Sequence, residues 1–425
     1  MSGPRPRRRP PLRLRLLLLG FAFLLAIGGV EVGLRLAPRL LPAWYRERFP
    51  PHGIEFFHPG LLDRTPLQAL PLPYGVEPYD GPAPHDLIDL GFAPLTAASG
   101  DGTTTPRFML PADAEGLPNA TPVPEADIAL VGDSFTLFAA QQQPAGLQMA
   151  LERDLQARIV NVGVSGIGPD QELWLLQNRA LPCRPRLVLW LFFGGNDLID
   201  AFWLQFHLAQ GMRTFGDLMA NKRVPTLRVP SLLWQLCTND KERPKDGPFP
   251  GFVVANNPQQ RLWFFPDSLR VMTLAPHELT ANPGWLGATT AMRAARAATE
   301  AAGARFLLVY LPSKDHIYLP RVQPDPEQLQ RTVAASNLQA IAVPADGESL
   351  RAALLQNRLA LEDAVMAFAA AEGMAAWSAR PTLEAAADRG EITFYAADTH
   401  WNTTGQLAVA AALIDVLRAR GLLTR

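Results

Sequence analysis

The chain is poor in cysteine: Cys183 and Cys237 are the only two among 425 residues. A disulfide framework is therefore excluded, and at most one bridge could form. Net charge is almost absent, −1 at pH 7, so no global field favours nucleic acid. No Cys/His cluster has metal-ligand spacing. His277-Glu278 lacks the second helical His of a zinc protease, and neither common form of Gly-rich phosphate loop occurs. No internal repeat is present. These absences set aside disulfide scaffolds, nucleic-acid binders, metal hydrolases and repeat arrays, and no cofactor or metal is expected.

Proline, by contrast, is abundant at 40 residues. Much of it lies outside the periodic segments, as in Phe49-Pro50-Pro51, Pro71-Leu72-Pro73 and Thr121-Pro122-Val123-Pro124. Residues 41–125 therefore suit a Pro-rich entry region of stiff loops. Ahead of it, Arg5, Arg7, Arg8, Arg9, Arg13 and Arg15 precede a charge-free run, Leu16 to Val30. Basic residues before an apolar run keep the N-terminus cytoplasmic and export the chain beyond the run. Residues 1–40 are thus expected to be a basic tail and a transmembrane signal-anchor helix, with the rest on the periplasmic side. The alternative is a cleaved signal peptide, with a small-residue site at Ala26-Ile27-Gly28.

From Ala126 onward apolar runs alternate with helical patterns. Ile128–Val131, Arg158–Val162, Leu187–Phe193 and Arg305–Tyr310 suit strands; Thr136–Ala157, Gln171–Ala180, Ala288–Ala302, Ser349–Ala371 and Thr404–Arg420 suit helices. Such alternation predicts an α/β fold with a parallel sheet and helices on both faces over residues 126–425. Residues 204–285 interrupt the rhythm with Trp234, Trp263 and Trp285 and many prolines, just after Trp203. They suit an insertion or small cap over the sheet's loops, or equally a large loop with its own aromatic cluster.

Four stretches hold residues fit for chemistry, and three of them lie just after predicted strands, where α/β sheets place ligands. Gly132-Asp133-Ser134-Phe135 puts a hydroxyl at a strand-to-helix turn, although Ser134 alone is equally a helix N-cap. Asn161-Val162-Gly163-Val164-Ser165-Gly166 lets backbone N–H groups approach a ligand. Ser165 is a rival nucleophile there, but not in a G-x-S-x-G elbow. Phe193-Gly194-Gly195-Asn196-Asp197 offers a side-chain amide, or a simple turn and cap. Asp398-Thr399-His400-Trp401-Asn402 places a carboxylate where it could orient an imidazole.

Taken in this order, Gly132-Asp133-Ser134, Gly166, Gly194-Gly195-Asn196-Asp197 and the Asp398/His400 pair resemble the motif blocks of the SGNH (GDSL-like) hydrolases. The resemblance covers about residues 126–202 and 286–420. It implies a three-layer, flavodoxin-like α/β/α fold. It implies Ser134 as nucleophile, His400 as base and Asp398 as its orienter, with Ser134, Gly166 and Asn196 forming the oxyanion hole. The acid lies two residues before the His, whereas many members have it three before, where this chain has Ala397. The Asp-x-His-Trp spacing is similar to membrane-associated SGNH proteins that O-acetylate exported polysaccharides. Leu311-Pro312-Ser313-Lys314-Asp315-His316-Ile317-Tyr318 resembles a Pro-x-Lys…Tyr feature of that subgroup. Asp133, Lys314 and Trp401 are the candidate substrate-lining residues.

The resemblance implies an exported serine esterase or acyltransferase acting on an ester, above all an O-acetyl ester, of a cell-envelope carbohydrate. Its partners would be the acylated carbohydrate or another small ester, the membrane through the N-terminal helix, and a membrane acyl donor. The rival class is a non-catalytic envelope protein that binds glycan on the same scaffold. Asn119-Ala120-Thr121 and Asn402-Thr403-Thr404 also match a glycosylation pattern, a weak signal at that length.

Overall fold

The computed structural model describes residues 12–36, 79–82, 107–111, 113, 117–142, 145–164, 166–211, 251–255, 257–336, 338, 340–395 and 398–423. Most of the Pro-rich region, Ser165, Trp234, Cys237 and Ala397 lie outside these residues. Among the described residues nine strands run in chain order: β1 Tyr79–Pro82, β2 Arg107–Leu110, β3 Ile128–Gly132, β4 Ile159–Asn161, β5 Leu187–Phe193, β6 Phe252–Val254, β7 Asn257–Leu262, β8 Arg305–Leu311 and β9 Ala376–Ser378. Strands β1 and β2 pair antiparallel, as do β6 and β7.

The other five form one sheet in the order β4-β3-β5-β8-β9, every pair parallel. Counted along the chain that order is 2-1-3-4-5, the flavodoxin-like winding. All seven residues of β5 are buried, because a parallel strand covered on both sides has no solvent face. Its alternation sorts residues between two cores. Leu187, Leu189, Leu191 and Phe193 join one, with helices Leu147–Leu155 and Thr403–Ala419. Val188, Trp190 and Phe192 join the other, with helices Asp197–Ala209, Pro283–Ala301 and Ala360–Ala371. The three layers result from that sorting.

Two expected helices are broken. Thr136–Ala157 is two helices, Ser134–Ala139 and Leu147–Leu155; Gln406 Oε1 accepts the Leu147 N–H at 3.0 Å and holds the chain where it re-enters the helix. Ser349–Ala371 divides into Gly347–Asn357 and Ala360–Ala371. At the break, Asn357 donates to the Thr273 carbonyl, and Arg358 to the His316 carbonyl and Glu384. Tertiary hydrogen bonds there outweigh helix continuity. Within 204–285, Phe252, Val254, Leu262 and Phe264 pack into the first core and Trp285 into the second.

The N-terminal apolar run forms a helix, Leu12–Leu36. Among the described residues, however, no helix is long and apolar enough to cross a membrane. The expected transmembrane helix is therefore not found. The charge-free stretch between Arg15 and Glu31 spans about 22 Å at 1.5 Å per residue, against a hydrocarbon core of about 30 Å.

Candidate active site

Strand β3 ends at Gly132, and Asp133 turns the chain into helix Ser134–Ala139. Asp133 is the N-cap: its Oδ1 accepts the Phe135 N–H at 2.9 Å. The serine is thus the first helical residue, with an N–H that has no partner within the helix. Its Oγ lies 2.7 Å from His400 Nε2. His400 Nδ1 lies 2.6 Å from Asp398 Oδ1, which also accepts the His400 backbone N–H at 2.7 Å. The Ser134–His400–Asp398 chain of hydrogen bonds is therefore closed across 266 residues of sequence.

Aromatic rings hold the imidazole. Phe135 lies tilted against it at 4.9 Å between centroids, and Phe138 meets it edge-on at 4.7 Å. Phe135, Phe138, Ala139, Leu147, Trp401 and Gln406 line a hollow beside His400. Asn402 caps the last helix, accepting the Gly405 N–H, and donates to the carbonyls of Ile392 and Phe394. The histidine loop is thereby tied to the helix beyond it.

The three expected oxyanion donors sit after three neighbouring strands, β4, β3 and β5. Gly166 has φ +74°, and nothing lies within 4 Å of where its side chain would be. That conformation suits glycine. Asn196 Nδ2 donates to Asp200 Oδ2 at 2.7 Å. The same side chain also hydrogen-bonds the Asp133 carboxyl, and an amide nitrogen carries two hydrogens, so the two carboxyls orient the group.

Of the residues expected to line the substrate, two are buried with partners of their own. Asp133 is fully buried beneath the serine, with its Oδ2 3.5 Å from Ser134 Oγ. Lys314 is 1 % exposed and donates to the carbonyls of Tyr395 and Asp398. A helix cap and an anchored ammonium are drawn inward by backbone partners that no spacing rule reveals. Trp401, also buried, does line the hollow.

Sequence reasoning missed two features. The first is Asn161, fully buried at the end of β4. Its Nδ2 donates to the Thr136 carbonyl at 2.7 Å and to Gln148 at 3.0 Å, and its Oδ1 accepts the Gly163 N–H at 2.8 Å. Gly163 must be glycine: a Cβ there would meet Leu137 N at 2.3 Å. Asn161 thus ties Gly163 to the helix that begins with Ser134. Asn119, which matched the glycosylation pattern, is buried and bonds the Asn161 backbone twice. Asn161→Ala strands three partners and is expected to cost about 3 kcal/mol. Denaturant unfolding should show it as a lower midpoint with unchanged slope.

The second is a cluster of carboxyls behind the serine: Asp133, Asp170, Glu172, Asp197 and Asp200. Glu172 accepts the Trp190 indole N–H at 2.5 Å, and Asp197 accepts the Phe193 N–H at 2.7 Å. Burial pushes Asp133 up to about 6 and Asp200 up to about 8. Burial, then their carboxyl neighbours, raises Glu172 and Asp197 well above the carboxylate range. All five stand within a strand-end turn or a helix's first turn, so each passes in the sequence as a cap. No cluster among the described residues has the geometry to hold a metal ion.

No family model and no curated protein matches the chain. It is similar to several solved structures. One is LAE5, an α/β hydrolase from the metagenome of Lake Arreo, Spain: 16% identity, 71% of this chain and 97% of that one, TM-score 0.33. Another is a catalytic variant of Axe2, an acetylxylan esterase from Geobacillus stearothermophilus: 10% identity, 68% and 92%, TM-score 0.32. A third is a lipase/acylhydrolase from Enterococcus faecalis: 12% identity, 69% and 95%, TM-score 0.30.

Proposed function

We propose that the chain is an SGNH-type serine esterase or acyltransferase that takes an acyl group, above all acetyl, from an ester of a cell-envelope carbohydrate. The observation that carries the reading is the closed hydrogen-bonded chain from Ser134 Oγ through His400 to Asp398. In the reaction His400 Nε2 takes the serine proton as the Oγ–carbonyl carbon bond forms. Charge then gathers on the carbonyl oxygen. The N–H groups of Ser134 and Gly166 and the side-chain amide of Asn196 would receive it, each worth about 3 kcal/mol of barrier. His400 returns the proton to the departing alcohol. Water or a sugar hydroxyl then attacks the acyl-serine, and that choice separates esterase from transferase.

Export is part of the same proposal and is supported by the arginines ahead of the N-terminal apolar helix. Cell fractionation with a C-terminal reporter tests it, and a reporter active only in the cytoplasm would rule export out. The reaction is tested by p-nitrophenyl acetate turnover of the full-length protein beside Ser134→Ala. Equal rates in the two would remove Ser134 from the chemistry.

A further inference from the structure

The loop carrying Asp398 and His400 is closed like a hairpin. Phe394 and Trp401 form an antiparallel bridge. The Tyr395 N–H donates to the His400 carbonyl at 3.0 Å, and the Asn402 N–H to the Thr393 carbonyl at 3.2 Å. A single helical turn, Lys314–Tyr318, packs at the end of β8 and grips this loop at two heights. Its Tyr318 hydroxyl donates to the Glu391 carbonyl at 2.8 Å and accepts the Thr393 N–H at 3.0 Å. One turn earlier, Lys314 Nζ donates to the Tyr395 carbonyl at 2.9 Å and the Asp398 carbonyl at 2.6 Å. Residues four apart share one helix face, so both grips come from the same side.

Burying an ammonium is costly unless it is well bonded. An ammonium has three donors and can therefore hold carbonyls from both arms of a turn at once. Fixing the Asp398 carbonyl also fixes its Cα, and with it the direction in which the carboxylate leaves the chain. Asp315, beside Lys314, is engaged elsewhere, accepting from Ser268 at 2.8 Å.

We infer that the Lys314–Tyr318 turn is a clamp on this loop, and that Lys314 is the positioning residue that presets Asp398 and His400 against Ser134. The inference rests on the proposed function for its catalytic consequence, though not for the clamp itself.

The test uses full-length protein and an alkyl fluorophosphonate. Its reaction forms a Ser134 Oγ–P bond, breaks P–F, releases fluoride and passes the serine proton to His400. Labelling of wild type but not Ser134→Ala checks the function. Lys314→Met should then lower the maximal labelling rate about 30-fold or more with the saturation constant within twofold, as expected when about 2 kcal/mol of orientation is lost. Lys314→Arg, which keeps charge and donors, should recover most of that loss. An unchanged rate in Lys314→Met overturns the inference. A change confined to the saturation constant does so too, because it puts Lys314 in ligand binding. If Lys314→Met does not fold, Tyr318→Phe carries the test through the low-field proton shared by His400 Nδ1 and Asp398. That signal should be present in wild type and broadened in Tyr318→Phe; an identical signal in both removes the clamp. It needs no turnover, so an unlabelled wild type would defeat the proposed function and leave the clamp to be judged by this signal.

Discussion

Ester turnover is expected to fall about 10⁶-fold in Ser134→Ala and about 10⁴-fold in Asp398→Asn, with both variants folded. The two losses differ in kind. Without its hydroxyl the chain has no acyl-accepting atom at the site, and only the backbone donors and binding remain. In Asp398→Asn every heavy atom stays in place. The carboxylate, however, accepts at 2.6 Å from His400 Nδ1, whereas an amide can turn its NH2 to that nitrogen. The imidazole then carries its proton on Nε2, facing the serine, and cannot receive another. The measurement is kcat and KM for p-nitrophenyl acetate in both variants, with circular dichroism as the fold check. Asp133 is the internal control, since it too has a carboxylate oxygen near Ser134 Oγ, at 3.5 Å. If Asp133→Asn proved far more damaging to kcat than Asp398→Asn, the assignment of the orienting acid would be reversed.

The protein should lose stability as the pH climbs from about 4 to 8, and Glu172→Gln should lessen that loss. Asp133 and Asp200 stand at about 6 and about 8 when folded, against about 3.9 for an unfolded Asp. Between those limits the folded state holds more protons than the unfolded one. Stability therefore declines with pH in that window, and the contribution is fully present only below about pH 4. Burial is the main cause, and carboxyl neighbours compound it for Glu172, Asp197 and Asp200. A glutamine at 172 keeps an acceptor for the Trp190 indole and brings no charge. Its melting temperature should exceed wild type by about 1–3 °C at pH 8, as 1–2 kcal/mol would give in a chain of this size, and match it at pH 5. A melting curve lowered at both pH values would show that the Glu172 carboxylate is stabilising.

The parallel sheet was legible because its central strands are written without ambiguity. Leu187–Phe193 and Arg305–Leu311 are near-continuous apolar runs of strand length, as strands buried on both faces are. Short edge strand β9 and the turn Lys314–Tyr318 were not legible. Three half-buried residues and a five-residue helix owe their conformation to neighbours rather than to any period of their own. Residue identity pointed to Ser134, Gly166, Asn196, Asp398 and His400 as a set, because their order matched a known pattern of blocks. It could not say which way Asp133 and Lys314 face. Both are charged side chains beside reactive ones, and local rules send such groups outward.

By itself, then, the sequence determined the layered fold, the strand ends where polar residues gather and the short list of side chains able to do chemistry. These depend on periodicity and residue type, which are local. Only the tertiary structure decided that Ser134 and His400 meet at 2.7 Å, that Lys314 bonds the Tyr395 and Asp398 carbonyls, and that a buried cluster of acids lies behind the serine. Each of those depends on chain segments tens to hundreds of residues apart, brought together by the winding of the sheet. Their energies are set by the burial and hydrogen bonds that result, which no single stretch of sequence contains.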